Sequence, residues 1–177
     1  EAQDKLKSMS SSYANNFNVT LKSVESKANS IHSLVKSTFD FDKLKNNKNY
    51  MNEYKEQISP TIKKIAENTS GILGAYVFFN PEVIKEAHDI YFADENDSGN
   101  FTKQKELNKE DYTKSSDEMN WFYNPYEKGH AVWSDPFYWE SLELNMFSYS
   151  EAISIDGKHV GTVGIDIKFD AIKSKIN

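Results

Sequence analysis

A chain of 177 residues with a net charge of −6 is about one domain, long enough to bury a core without staples. It is too acidic to suit a nucleic-acid partner, whose phosphates need a basic face. The chain has no cysteine, and its 21 basic residues are all lysine, which excludes disulfides and thiolate chemistry and leaves no guanidinium fork to hold a carboxylate bidentately.

From Asp4 to about Lys36 there is no proline or glycine, and Leu6, Met9, Tyr13, Phe17, Leu21, Val24, Ala28, Ile31 and Val35 recur at three- and four-residue steps. That spacing predicts one amphipathic helix, roughly 50 Å long at 1.5 Å per residue. Such a helix overhangs a domain of this size. It can be a stalk leaving a membrane, a helix packed along its own sheet, or both. Phe39-Asp40-Phe41 breaks the pattern. A second helix is expected over about Asn49 to Ile58. Pro60 then opens a third through Glu67, with Ser59 as its N-cap.

Gly71 to Phe79 reads as the first strand, ended by Asn80-Pro81. Val83 to Phe92 reads as a second strand, although Val83 to His88 also fits a helix. Asp94 to Gly99 is a turn, and Phe101 to Leu107 a third short strand. Ser115 or Ser116 caps a short helix carrying Met119, Trp121, Phe122 and Tyr123. Asn145 to Ile155 and His159 to Phe169 are the fourth and fifth strands, joined by Asp156-Gly157, a dipeptide that supplies the positive φ of a tight hairpin turn. In the last strand Val163, Ile165, Ile167 and Phe169 alternate with Thr162, Gly164, Asp166 and Lys168. Asp166 therefore points away from the apolar face, toward a pocket walled by the aromatic segments around Trp121 and Trp133.

The order Trp121-Phe122, then Trp133-x-x-Pro136-Phe137, Ser148-Tyr149-Ser150-x-x-Ile153 and Val160-Gly161-Thr162-Val163-Gly164-Ile165-Asp166-Ile167 resembles the Cache family of extracellular sensor domains. The likeness runs from about Tyr76 to Ile167. It implies an α+β fold: a PAS-like antiparallel five-stranded sheet with a long N-terminal helix and a short helical insert. Residues 1–38 would be the helical stalk and 39–177 a single PAS-like domain. It also implies an extracytoplasmic, non-enzymatic sensing module of a bacterial chemoreceptor or histidine kinase, with no cofactor and no metal. The membrane would be reached only through flanking segments, since no apolar run here approaches the ~18 residues that span a bilayer and the start at Glu1 suggests a trimmed signal or membrane segment. Self-association through the N-terminal helix is expected to be weak at most.

In the amino-acid-binding branch of that family, an arginine two positions before the tryptophan and a tyrosine after it grip the ligand carboxylate, and the strand aspartate grips the amine. Here the tryptophan and aspartate positions are Trp121 and Asp166, but the arginine and tyrosine positions are Met119 and Phe122. The family's Pro-Tyr-x-Asp becomes Pro136-Phe137-Tyr138-Trp139. The resemblance thus implies an amine anchor without a carboxylate clamp. The ligand expected is apolar, aromatic or cationic rather than a standard amino acid, held by cation–π contact and a charge-assisted hydrogen bond. The candidate binding residues are Met119, Trp121, Phe122, Trp133, Phe137, Trp139, Tyr149 and Asp166. The alternatives are a structural or interaction ectodomain whose aromatics merely fill the pocket and, least favoured, a secreted hydrolase.

Other motifs are weaker. Asp94 to Gly99 imitates the start of an EF-hand loop, but its twelfth position is Lys105, where a bidentate glutamate is required, so a plain turn is expected. His32, His88, His130 and His159 show no ligand spacing and read as surface or loop residues.

Overall fold

The structure is a computed structural model and describes residues 2–170. Helix α1 (Ala2–Thr38) is the expected long helix, but its stripe is used over only part of its length. Val24, Ala28, Ile31 and Val35 are fully buried, against the sheet's long hairpin. The described side chains before Leu21 are exposed or half-buried, Met9 and Val19 among the exposed. The side chains of Leu6 and Tyr13 lie outside the described set.

Asp40 caps the short helix α2 (Phe41–Asn46) by accepting from the backbone N–H groups of Asp42 and Lys43. Helix α3 (Tyr50–Glu67) is continuous, with Pro60 inside it, so the expected break and the Ser59 cap are corrected. The reason is packing. Tyr54, Ile58, Ile62 and Ala66 are all buried at four-residue steps that cross the proline, which itself lies on the exposed face. A fully buried isoleucine contributes roughly 1.5–3 kcal/mol. Ile58 and Ile62 together offset the ~3 kcal/mol that an interior proline costs.

Among the described residues the sheet has seven strands rather than about five. They are β1 (Gly74–Phe79), β2 (His88–Ala93), β3 (Thr102–Lys103), β4 (Val132–Trp133), β5 (Phe137–Trp139), β6 (Leu144–Ile155) and β7 (Lys158–Lys168). The order is β3-β2-β1-β7-β6-β4, with β5 also on β6, and every pairing is antiparallel. The two strands not foreseen are short pieces of the aromatic segment that share the outer edge of β6, whose length accommodates both. The expected strand from Val83 begins instead as a single helical turn, α4 (Pro81–Ile84), capped by Asn80; only His88–Ala93 is extended. The hairpin turn is as read: Asp156 and Gly157 both have positive φ, 52° and 73°.

Each face of the sheet carries its own core. Val77, Phe79, Ile90, Phe92, Val163, Ile165 and Ile167 pack under α1 and α3. Tyr76, Phe78, Tyr91 and Ala93 face a second cluster with Met119, Trp121, Phe122 and Tyr123. That cluster comes from a 3-10 turn capped by Ser116 and from helix α5 (Asn120–Lys128). Because β2 and β7 are covered on both sides, His88 and His159 are buried rather than surface residues. Burial lowers the His159 pKa to about 4; its Nε2 lies 2.9 Å from Thr162 Oγ1, and its ring stacks on Tyr126.

Candidate functional site

Strand parity builds the site. On the face turned to α5, β7 presents Asp166, β1 presents Tyr76 and Phe78, β2 presents Asp89 and Tyr91, and β6 presents Met146 and Ser148. Asp166 pairs with Gly74 on one side and Ser148 on the other. The Tyr76 hydroxyl lies 2.7 Å from Ser148 Oγ. Trp121 of α5 and Phe137 and Trp139 of β5 close the space above. What remains is a cavity of about 10 Å³ against Asp166, room for about one water.

Asp166 is 4% exposed. Its Oδ1, the Tyr91 hydroxyl and the indole Nε1 atoms of Trp121 and Trp139 are buried with no hydrogen-bond partner among the described residues. Burial raises the Asp166 pKa to about 7; the Tyr91 and Ser148 hydroxyls lie close enough to oppose the rise as side-chain donors, but neither reaches Oδ1 in full hydrogen-bond geometry. A buried carboxyl lacking a partner on one oxygen is costly.

The eight candidate residues separate. Trp121, Phe137, Trp139 and Asp166 line this cavity together. Met119 packs in the same aromatic cluster but faces a larger outer cleft. Phe122 is fully buried and turns toward Tyr112, Tyr123 and His159, away from Asp166. Trp133 and Tyr149 have their rings on the opposite face, packed on each other and on the helix-side core, so they do not ring Asp166. The cause is a bulge. An unbroken ladder from the Asp156-Gly157 turn would set Asp166 opposite Phe147 and give Tyr149 the same face. The register shifts by one between Ile153 and Ser154; Ser148 comes opposite Asp166, and Tyr149 turns over. Tyr76, Phe78, Tyr91 and Met146 complete the lining and were not among the candidates. The alternation Tyr76-Val77-Phe78-Phe79 held the signal, but only pairing β1 with β7 brings it to Asp166.

Outside β5 lie two open clefts of about 650 and 540 Å³. Trp139 separates the first from the cavity; Trp121 and Phe137 separate the second. The larger is lined by Glu106, Glu110, Asp111, Glu118 and Glu140 against Lys105. The other has Asp117, Glu118 and Asp135 against Lys128. Both approaches are therefore negative. The Asp94 carboxylate is occupied by its own turn, accepting from the N–H groups of Ser98 and Gly99 at 2.9 and 2.7 Å.

The family model for the first PDC sensor domain of methyl-accepting-chemotaxis-protein-like receptors matches residues 58–174. The chain belongs to this family. Its fold is shared by the extracellular domain of the histidine kinase soHK1S-Z6, with a TM-score of 0.75 at 16% identity over 99% of this chain and 63% of that one. It is shared also by the extracellular domain of the histidine kinase mmHK1S-Z3 (TM-score 0.67, 17% identity, 98% of this chain and 62% of the other). The sensory domain of the Campylobacter jejuni chemoreceptor Tlp3 with isoleucine bound gives a TM-score of 0.59 at 17% identity, over 98% of this chain and 60% of that one. This PDC domain thus spans about three fifths of the length of these structures. A search of curated protein sequences finds no match.

A second buried carboxyl fixes a wall beside the candidate site of this PDC domain. Asp89 is 1% exposed, and burial raises its pKa to about 7, with the Tyr112 hydroxyl and Leu107 N–H opposing. Both donate to it. Glu106 next to Leu107 takes Lys55 Nζ at 2.7 Å and the Asp89 N–H at 3.3 Å. These bonds tie the irregular segment from Gln104 to Thr113 onto β2 and so position the wall of the larger cleft. Tyr112→Phe leaves the buried carboxyl short of a donor. It is expected to lower stability by about 1–3 kcal/mol, read by urea denaturation; an unchanged midpoint would show that the clasp contributes nothing.

Proposed function

We propose that this PDC domain is the extracytoplasmic small-molecule sensing module of a bacterial transmembrane receptor, a chemoreceptor or a histidine kinase. Its ligand in this reading is an aromatic or aliphatic amine rather than a standard α-amino acid. One observation carries the reading: a carboxyl buried among Tyr76, Phe78, Trp121 and Trp139 whose Oδ1 has no partner among the described residues. An ammonium group supplies the missing donor, and the rings supply cation–π contact. The acidic clefts outside β5 favour a cation on approach. A ligand carboxylate would find no cationic side chain in the cavity lining, and the chain has no arginine anywhere. That Tlp3 takes isoleucine supports sensing at this fold; the preference for amines rests on the residues of this chain. Membership of a sensor family and the lack of a nucleophile–base pair in the sequence support a non-enzymatic role.

The cavity is small, so a ligand has to displace Phe137 and Trp139 toward the outer clefts. That closure also favours a second reading, a structural or interaction ectodomain that binds nothing small. The two are separated by titrating 2-phenylethylamine, other primary amines and the common amino acids by thermal shift and calorimetry. The sensor reading expects stabilisation by amines and none by amino acids. It expects Asp166→Asn to weaken amine binding by ~10–100-fold, on the ~1.5–3 kcal/mol of a charged hydrogen bond. Because the amine binds the ionised carboxyl, affinity should rise by up to about tenfold per pH unit below pH ~7 and then level. Stabilisation by an amino acid, or amine binding indifferent to Asp166→Asn, would overturn the reading.

A further inference from the structure

The roof of the Asp166 cavity is joined to α1 by two consecutive residues. Ser134 is tied to the ligand-face strand at two points: its N–H donates to Ser148 O at 2.8 Å, and its Oγ accepts from Ser148 N–H at 2.9 Å. Ser148 is the residue paired with Asp166 and bonded to Tyr76. Trp133, one residue earlier, sends its ring through to the other side of the sheet. It packs on Phe147 and Tyr149 at 5.7 and 5.1 Å, and its Nε1 donates to Glu25 Oε1 of α1 at 3.1 Å. Glu25 sits beside Val24 and within a turn of Ala28, where α1 is anchored in the core. Immediately after Ser134 the chain forms the roof itself, Phe137 and Trp139.

We propose that Trp133 is the strut through which movement of the roof over Asp166 reaches α1. The proposal rests on the sensing role argued above and adds a route for its output. A ligand larger than one water displaces Phe137 and Trp139. Phe137 to Trp139 are laddered to β6 themselves, and Ser134 is the next point back along the chain where that segment is pinned to β6, so a displacement of the roof loads the Trp133-Ser134 pair. The indole carries the load across the sheet to Glu25 as one rigid side chain held at both ends. A coupled element of this kind, with a contact at each site, is the physical content of communication between distant positions.

The test needs no ligand. Trp139→Ala removes part of the roof, and hydrogen exchange is then measured at the amides of residues 22–29 of α1. The expected result is a change of about fivefold or more in exchange, the low end of typical coupling. That change should disappear when Trp133→Phe is added, which keeps a packed ring and deletes the N–H donor. Glu25→Leu should abolish it in the same way. If circular dichroism shows that Trp139→Ala does not fold, Phe137→Leu perturbs the same roof and is read identically. Exchange in α1 that ignores the roof variants, or that responds equally with Trp133→Phe present, would overturn the proposal. Failure of amine binding with a positive exchange result would sink the ligand assignment alone. Amine binding with a negative exchange result would sink the strut alone.

Discussion

Asp166→Asn should make the domain more stable at pH 8 while making it a poorer binder. In the folded chain burial raises the carboxyl to about 7, from an ordinary value of 3.8. Folding therefore takes up a proton between these values. Below pH ~4 the group is neutral in both states and contributes nothing. As pH rises from ~4 to ~7 the folded state is progressively penalised, and above ~7 the penalty is constant. Three pKa units amount to about 4 kcal/mol at most, so roughly 2–4 kcal/mol is a fair expectation. The wild-type profile alone would hide this, since the lowered pKa values of His88 and His159 act in the opposite sense over the same acidic range. The difference between variant and wild type cancels them, along with the raised Asp89. Urea denaturation of both proteins should give a difference near zero at pH ~3 and about 2–4 kcal/mol in favour of Asp166→Asn at pH 8. A difference that does not grow with pH would mean that the carboxyl is already satisfied, and the argument for an amine ligand would go with it. If the difference does grow, the instability stored at Asp166 is what the proposed ammonium ligand would relieve.

How much of this could be read in the chain depends on the length of each pattern. The hairpin was legible because Asp156-Gly157 is a local demand on φ, and the face of Asp166 because eight residues of alternation surround it. The helical stripe of α1 was legible too, but not where it stops being buried, since spacing alone does not say how far the sheet reaches. β4 and β5 were not legible: two or three residues carry no period, and they are strands only because β6 lies beside them. Pro60 misled because a local rule was outweighed by the stripe on either side of it. Tyr149 was placed in the site by its aromatic character and put on the other face by a one-residue bulge, which the sequence near Val160 does not announce. Tyr76 and Tyr91 belong to strands distant in sequence, and their place at the cavity depends on β1 lying between β2 and β7.

Gly164→Ala is expected to be among the most damaging single substitutions in the domain. Gly164 lies in the middle of β7 with no positive φ to explain it; the reason is space. A Cβ there would overlap the end of the Tyr76 ring and its hydroxyl, and would lie 2.5 Å from the Tyr149 carbonyl oxygen. Tyr76 is 2% exposed. It is wedged edge-on against Trp121, Phe78 and Tyr91, at 5.1, 5.3 and 6.0 Å between ring centres, so it has nowhere to retreat. Overpacking costs about 1–3 kcal/mol. Breaking the bond between Tyr76 and Ser148 deprives the buried Tyr76 hydroxyl of its 2.7 Å partner, at about 1–3 kcal/mol more. The sum, roughly 2–6 kcal/mol, exceeds the ~1–2 kcal/mol of left-handed strain expected for Gly157→Ala, where a Cβ would meet nothing within 4 Å. Chemical denaturation of the two variants gives the ranking. A double-mutant cycle with Tyr76→Ala gives the cause. Tyr76→Ala alone should cost about 3–5 kcal/mol, as for a large aromatic. In the double variant the new methyl occupies space that the ring has vacated, so the losses should be clearly less than additive. Additive losses would instead place the damage at the Tyr149 carbonyl, in the β6–β7 ladder itself, and Tyr76 would no longer be what makes Gly164 necessary.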